Sequence, residues 1–259
     1  MAEELSRALD AIRDIDIDVP EVWQERGLEG VPGDEAPALD ASKAQAAVVD
    51  SNVVAFPEGV SAQVRNAVSD WMLFAQRAAT KKHPKGTDSA QWADEYLDVM
   101  LATGWSLRES ASAWSEESVS GSVVHQKILD VLAVVLGPVP AALAIVTAAL
   151  SSLQAMNEDS KWITLFDRRG KSATSVGFSV ANVEAQSDGA AALRSVDFRI
   201  EASKTLTQVL FFKFTHQEAS MFRRGVVLSI SAKNLERLGP KIAERVAEMA
   251  EDSIAGYDL

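Results

Sequence analysis

Hydrophobic residues recur at helical spacing in the region that follows residue 60. Ser61 is a good N-cap, and apolar residues every three or four positions after it predict a helix over residues 61–82. His83 and the proline after it end this pattern. A second helix with the same spacing is predicted to follow and to end before Gly104.

The spacing changes from helical to alternating beyond residue 160. Alternation of apolar and polar residues predicts strands at 162–166, 176–181, 196–202, 210–214 and 226–230. The links between these segments are short, and Asp188-Gly189 is a typical turn sequence. Short links between alternating strands predict an antiparallel sheet with one face in solvent. Apolar spacing after Pro240 predicts a last helix over residues 240–254.

These patterns predict an α+β protein. Its N-terminal half is expected to be helical, with an apolar helical hairpin, and its C-terminal half to be an antiparallel sheet of about five strands closed by a C-terminal helix. Residues 1–60 are expected to form an acidic, partly irregular leader. Residues 61–259 are expected to form a single α+β unit, helical over 61–157 and built of the sheet and the last helix over 158–259.

The composition excludes several classes of protein. The chain has 259 residues, of which 47% are hydrophobic, so it is not wholly disordered and has ample material for a core. It has no cysteine, which excludes a disulfide scaffold, a thiolate metal site and a cysteine nucleophile. The formal net charge is −12, and residues 1–60 hold 14 acidic and 4 basic side chains. Nucleic acid is therefore not expected as a partner, because phosphate binding needs a basic stripe.

The first residues do not have the pattern of a secretory signal. They are acidic and amphipathic, whereas a signal peptide has a basic region followed by an apolar one. The sequence therefore predicts synthesis in the cytosol without an N-terminal signal peptide. Action outside the cell would need a non-classical route of export or release.

One long apolar segment stands out from the rest of the chain. Residues 131–157 contain no charged side chain, and 131–150 read VLAVVLGPVPAALAIVTAAL. Gly137-Pro138-Val139-Pro140 must break a helix at the centre of this segment. Two helices are therefore predicted, over about 124–136 and 141–156, each about 20 Å long. Neither is long enough to span a bilayer core of about 30 Å.

This arrangement resembles the hydrophobic helical hairpin of membrane-inserting proteins such as colicin-type and α-helical pore-forming toxins. The resemblance covers residues 124–156 and lies in composition and layout, without a sequence motif of that group. It implies a non-enzymatic, toxin-like or virulence effector whose hairpin is shielded in the soluble form and released at a membrane. The residues predicted to contact lipid are Val131, Leu132, Val135, Leu136, Pro138, Val139, Pro140, Leu143, Ile145, Val146 and Leu150.

The residues themselves leave other interpretations of the hairpin open. A helical hairpin that is apolar all round is also typical of a central core element enclosed by other helices and a sheet. In that case the protein is a soluble interaction protein with a protein partner that the sequence does not identify. A cavity for a hydrophobic ligand and an oligomer interface are further alternatives.

No catalytic motif is present in the chain. The nucleophile elbow, the zincin helix and the dinucleotide fingerprint are all missing. Gly170-Lys171-Ser172 is best interpreted as part of a hairpin turn, because Leu165 occupies the position of the first glycine of a phosphate loop. No catalytic residue, cofactor or metal ligand is therefore predicted, and a hydrolase without a recognisable motif ranks third among the functions.

Overall fold

Helices and strands alternate along the chain in the computed structural model. The model describes residues 2–18, 42–49, 52–84, 89–110, 115–120, 124–136, 140–155, 175–202 and 218–255. Within these ranges the helices are α1 (Ala2–Asp14), α2 (Ala62–Lys82), α3 (Ser89–Ala102), α4 (Val124–Leu136), α5 (Pro140–Ala155) and α6 (Ala232–Ala255). The strands are β1 (Gln45–Val49), β2 (Asn52–Phe56), β3 (Ser106–Ser110), β4 (Ser115–Ser120), β5 (Ser175–Ala185), β6 (Ala191–Ala202) and β7 (Glu218–Ile230).

All the described strands belong to one mixed sheet. Its order is β1-β2-β5-β6-β7-β3, and β4 pairs with the same strand, β7, as β3 does. The pair β2–β5 is parallel, and the other pairs are antiparallel. The predicted α+β class with a C-terminal helix after the strands is confirmed.

The sheet differs from the prediction in one respect: it is not purely antiparallel. Strand β5 pairs with β2, which lies far before it in the chain. The intervening chain includes helices, and a long connection of this kind allows two strands to run in the same direction.

The predicted strands at 162–166 and 210–214 lie outside the described residues. The predicted boundary at residue 60 stays a prediction, and β1 and β2 lie before it.

Helices cover both faces of the sheet, so the expectation of one solvent face is wrong. One face, here called the helical-layer face, packs in a core with residues of α1, α2, α3 and α6. The opposite face, here called the hairpin face, packs against α4 and α5. Alternation along β6 divides its side chains accordingly: Ala191 and Leu193 belong to the first core, and Val196, Phe198 and Ile200 belong to the second. Successive side chains of β6 point to opposite faces of the sheet, and both faces are buried because both carry helices.

The start of α2 is fixed by polar contacts. The Ser61 Oγ accepts a hydrogen bond from the Val64 amide at 3.3 Å, as the N-cap prediction requires. The guanidinium of the fully buried Arg65 donates to the carbonyl oxygens of Val60 (2.7 Å), Lys43 (2.9 Å) and Pro57 (2.8 Å). These bonds hold the first turn of α2 against the chain that leads into β1 and out of β2.

The last helix begins earlier than predicted and contains Pro240 in its interior. Ser231 starts it, because its Oγ accepts from the Asn234 amide (3.2 Å) and its carbonyl from the Leu235 amide (2.9 Å). Leu238 and Ile242 are fully buried on either side of the proline. Apolar packing thus keeps the helix continuous despite the missing donor.

Candidate functional site

The predicted hairpin is present as α4 and α5, and one side of it packs on the sheet. In α4 the buried side chains are Ile128, Val131, Leu132 and Leu136, which form a single stripe at helical spacing. In α5, Ala142 and Val146 are fully buried. All of these side chains except Ala142 belong to the core on the hairpin face of the sheet, where the rings of Phe178 and Phe198 stack with their centroids 5.1 Å apart.

Beyond Asp130, the other side of the hairpin is exposed and apolar, whereas Lys127 and Asp130 near the start of α4 are exposed and charged. Val134 is 75% exposed, the largest exposed fraction among the large hydrophobic side chains of the described residues. Four small apolar residues of the two helices are also exposed: Ala133, Ala141, Ala144 and Ala148. The hairpin is therefore neither enclosed on all sides nor detached from the sheet.

The residues predicted to contact lipid differ in burial. Val131, Leu132, Leu136 and Val146 are buried against the sheet. Val135, Leu143 and Ile145 are partly buried and pack against the same core. Pro140 and Leu150 lie in α5, whereas Pro138 and Val139 lie outside the described residues.

Sequence reasoning did not single out Val134, the most exposed apolar side chain among the described residues of the hairpin. The helical spacing of the sequence could have identified it: Ile128, Leu132 and Leu136 lie on one side of α4, and position 134 lies on the opposite side. None of the helices in the described ranges is long and apolar enough to cross a membrane.

A polar side chain lies on the hairpin face of the sheet. Asn182 of β5 is fully buried, and neither its Oδ1 nor its Nδ2 has a hydrogen-bond partner among the described residues. Asn182 lies two residues after Val180, on the same face of β5, and its register partner in β2 is Ala55. Val180 and Ala55 both belong to the core between the hairpin and the hairpin face of the sheet. A buried amide without partners costs free energy, so this part of the sheet is less favourable than an apolar one.

A second polar cluster lies on the opposite, helical-layer face and involves Arg224 of β7. Its guanidinium donates to Asp197 Oδ2 through Nη2 (3.1 Å) and Nε (3.3 Å). It also donates to Asp94 Oδ1 (2.5 Å) and to the carbonyl oxygen of Ala93 (3.2 Å), both in α3. One buried side chain thus ties α3 to two neighbouring strands.

Burial controls the ionisation of the acidic groups in this cluster. Burial raises the pKa of Asp197, and the nearby charge of Asp94 raises it further, while Arg224 acts in the opposite direction. Burial also raises the pKa of Tyr96 in α3, assisted by the charge of Asp197, so its hydroxyl stays protonated. The Asn52 amide lies near enough to that hydroxyl to oppose the shift, without a hydrogen bond of standard geometry.

The described side chains include no cluster suited to a metal ion. No group of three or more His, Cys, Asp or Glu residues among them could hold a metal ion. His83 lies 4.0 Å from Glu95, which also pairs with Lys82, at the solvent-facing end of α2. This arrangement is typical of a surface ion pair.

Comparison with known proteins gives remote similarities only. No protein-family model matches the chain, and no curated protein matches it. Among solved structures, the chain is similar to a delta-endotoxin, with 13% identity, coverage of 71% of this chain and 85% of that one, and a TM-score of 0.36. It is also similar to the Evf virulence factor, with 11% identity, coverage of 90% of this chain and 89% of that one, and a TM-score of 0.34. These neighbours are named as a toxin and a virulence factor, and at such TM-scores the likeness carries no argument about this chain.

Proposed function

We propose that this protein is a non-enzymatic, toxin-like effector that contacts a lipid membrane through the outward side of the α4–α5 hairpin. The observation that carries the proposal is the exposure of Val134 on a hairpin whose residues 131–157 include no charged side chain. The described exposed residues from Ala133 to Ala148 are apolar and uncharged, and such a surface is unfavourable in water and favourable against lipid.

Other surface helices of the same protein show the contrast. Helix α1 carries the exposed pair Arg7 and Glu3, and helix α6 carries the partly exposed pair Arg245 and Glu248. These helices have the charged outer side expected of a helix in water. Among the described residues of the hairpin, exposed charged side chains occur only in the first part of α4, at Lys127 and Asp130. The exposed residues after Asp130 are alanines and a valine.

The length of the hairpin limits how it could enter a bilayer. Helix α4 has 13 residues and α5 has 16, which correspond to about 20 and 24 Å at 1.5 Å per residue. The hydrocarbon core of a bilayer is about 30 Å thick. The proposed contact is therefore an insertion into one leaflet.

The sheet under the hairpin contains a feature that favours separation at a membrane. Asn182 is buried there without partners, and such a group costs about 1–3 kcal/mol. Movement of the hairpin away from this face would let water reach the amide. The docked state is thereby less stable than it would be on an apolar surface.

The alternative function is that of a soluble interaction protein with the hairpin permanently docked. It is favoured by the complete burial of Leu132, Leu136 and Val146 on the hairpin face. Separation of the hairpin would expose this apolar area at a cost of about 25 cal/mol per Å². Lipid must compensate for that cost if the membrane proposal is correct.

The absence of cysteine allows a direct test with a single label. Val134→Cys is labelled with an environment-sensitive fluorophore and mixed with liposomes of phosphatidylcholine and phosphatidylglycerol. The matched control is Leu107→Cys, whose parent residue is 45% exposed on β3, away from the hairpin. We expect co-flotation of both proteins and a blue shift at position 134 only.

A charge at the same position gives an independent test. Val134→Asp should reduce co-flotation about tenfold or more, because moving a carboxylate into lipid costs several kcal/mol. Leu107→Asp should leave co-flotation unchanged. If folded wild-type protein does not bind these liposomes at any pH between 7 and 4.5, the membrane proposal is wrong and the interaction protein remains.

A further inference from the structure

A small cavity lies between α3 and the helical-layer face of the sheet. Its lining includes Asn52 of β2, Ser179 of β5, Asp197 of β6, and Trp92 and Tyr96 of α3. It offers about 10 Å³ to the centre of a water molecule. That space is close to the minimum that holds one water and is too small for a larger ligand.

Two polar side chains that line the cavity have no partner among the described residues. Asn52 is 1% exposed, and both its Oδ1 and its Nδ2 are without a hydrogen bond. Ser179 is 5% exposed, and its Oγ is also without one. The two residues are register partners in the parallel pair β2–β5, so their side chains lie side by side on one face.

We propose that this cavity is a binding site for a single water molecule, which is held by the Asn52 amide and the Ser179 hydroxyl. A water molecule offers two donors and two acceptors, so it can serve the amide oxygen, the amide nitrogen and the hydroxyl together. Without it, the polar atoms of both side chains remain unsatisfied in the interior, which is rare in folded proteins.

The charges around the cavity select water over a cation. The carboxylate of Asp197 is engaged by Arg224 at 3.1 Å, so the wall of the cavity has no unbalanced negative charge from this group. Tyr96 stays protonated because burial raises its pKa. The remaining polar groups, an amide and a hydroxyl, are neutral donors and acceptors.

The proposed water site lies beside the polar contacts that join α3 to the sheet. Arg224 ties α3 to β6 and β7. The water site adjoins these contacts, because Asp197 is part of the cavity lining, and it lies where β2 and β5 meet α3 near Tyr96.

A high-resolution crystal structure of the full chain tests the site directly. We expect one density peak within about 3.2 Å of the Asn52 amide and the Ser179 Oγ. A direct hydrogen bond between Asn52 and the Tyr96 hydroxyl, with no density in the cavity, overturns the proposal. A peak with the coordination distances of a metal ion overturns it as well.

Substitution gives a second test that does not depend on crystals. Ser179→Val fills the space and leaves the Asn52 amide unpaired, so Tm should fall by about 3–8 °C. Ser195→Val is the control, because Ser195 is buried on β6 and does not line the cavity. The double variant Asn52→Leu with Ser179→Val should recover part of the loss, because no polar atom remains to be satisfied. A Tm for Ser179→Val at or above that of the control overturns the proposal.

Discussion

Asp197 and Arg224 lie directly opposite each other in the antiparallel pair β6–β7, and the guanidinium of Arg224 meets Asp197 Oδ2 at 3.1 Å. Both side chains are buried beneath α3. Removing one partner of a buried ion pair lowers the free energy of unfolding strongly, because the other charge is then left unpaired in the interior. The contact therefore joins α3 to the sheet and also gives the stability of the protein a defined pH dependence.

The pH dependence of unfolding should report the raised pKa of Asp197. The folded protein binds this proton more tightly than the unfolded chain, whose carboxyl has the ordinary value of 3.8. The resulting stability is fully present below that value and is lost as pH rises through the folded pKa. Urea unfolding of wild type and Asp197→Asn from pH 4 to 7 should show this loss in wild type only. Asp94→Asn should keep the loss but move it to lower pH, because the charge of Asp94 contributes to the raised pKa of Asp197. A wild type that instead gains stability over Asp197→Asn as pH rises would contradict the assignment.

Removal of the buried amide under the hairpin should stabilise the protein. Asn182→Val is expected to raise the free energy of unfolding by about 1–3 kcal/mol, because no unpaired polar atom remains there. If the hairpin separates from the sheet at membranes, the same substitution should lower liposome co-flotation. Asn182→Asp, which keeps the size and adds a charge, should change both quantities in the opposite direction. A destabilised Asn182→Val would show that the amide has a partner.

Arg65 is expected to be essential for the start of α2. Arg65→Met removes the donors to three carbonyl oxygens, and a loss of about 3–5 kcal/mol should follow. Arg65→Lys should recover only part of it, because an ammonium cannot reproduce the forked geometry of a guanidinium. Arg7→Met, at an exposed position of α1, is the control and should change the unfolding free energy little. Chemical denaturation measures all three.

Membrane association should rise as pH falls from 7 to 4.5, because protonation weakens the repulsion between the acidic N-terminal residues and anionic lipid. Deletion of these residues is a poor test, since Ala8 and Ile12 are buried in the core beside α6. Neutralising two exposed acids, Glu3 and Asp10, with their amides keeps α1 intact. These substitutions should raise co-flotation at pH 7, whereas amides at Glu244 and Glu248 of α6 should raise it less. Equal effects from both sets would show that only net charge matters.

The local elements of this fold were predictable from the sequence. Ser61 and the spacing after it predicted α2, whose described end is Lys82. The proline-containing break predicted two short helices, and α4 ends at Leu136 and α5 begins at Pro140. The Asp188-Gly189 turn is also present, with Gly189 at φ +81° and the Ala190 amide bonded to Asp188 Oδ1 at 3.0 Å. Caps, turns and hydrophobic spacing act within a few residues, so they can be read from neighbouring positions.

The sequence by itself thus determined the helices after residue 60, the apolar hairpin with its uncharged residues 131–157, and the alternating strands after residue 160. It did not predict β1 to β4, which lie in spans expected to be irregular or helical. Tertiary structure decided which segments meet. The parallel pairing of β2 with β5 brings Asn52 beside Ser179, and the pairing of β6 with β7 brings Asp197 opposite Arg224. Docking of α4 on the hairpin face buries Leu132 and leaves Val134 outside. These relationships join residues far apart in the chain, and they depend on how all the apolar faces are buried at once, which no local spacing specifies.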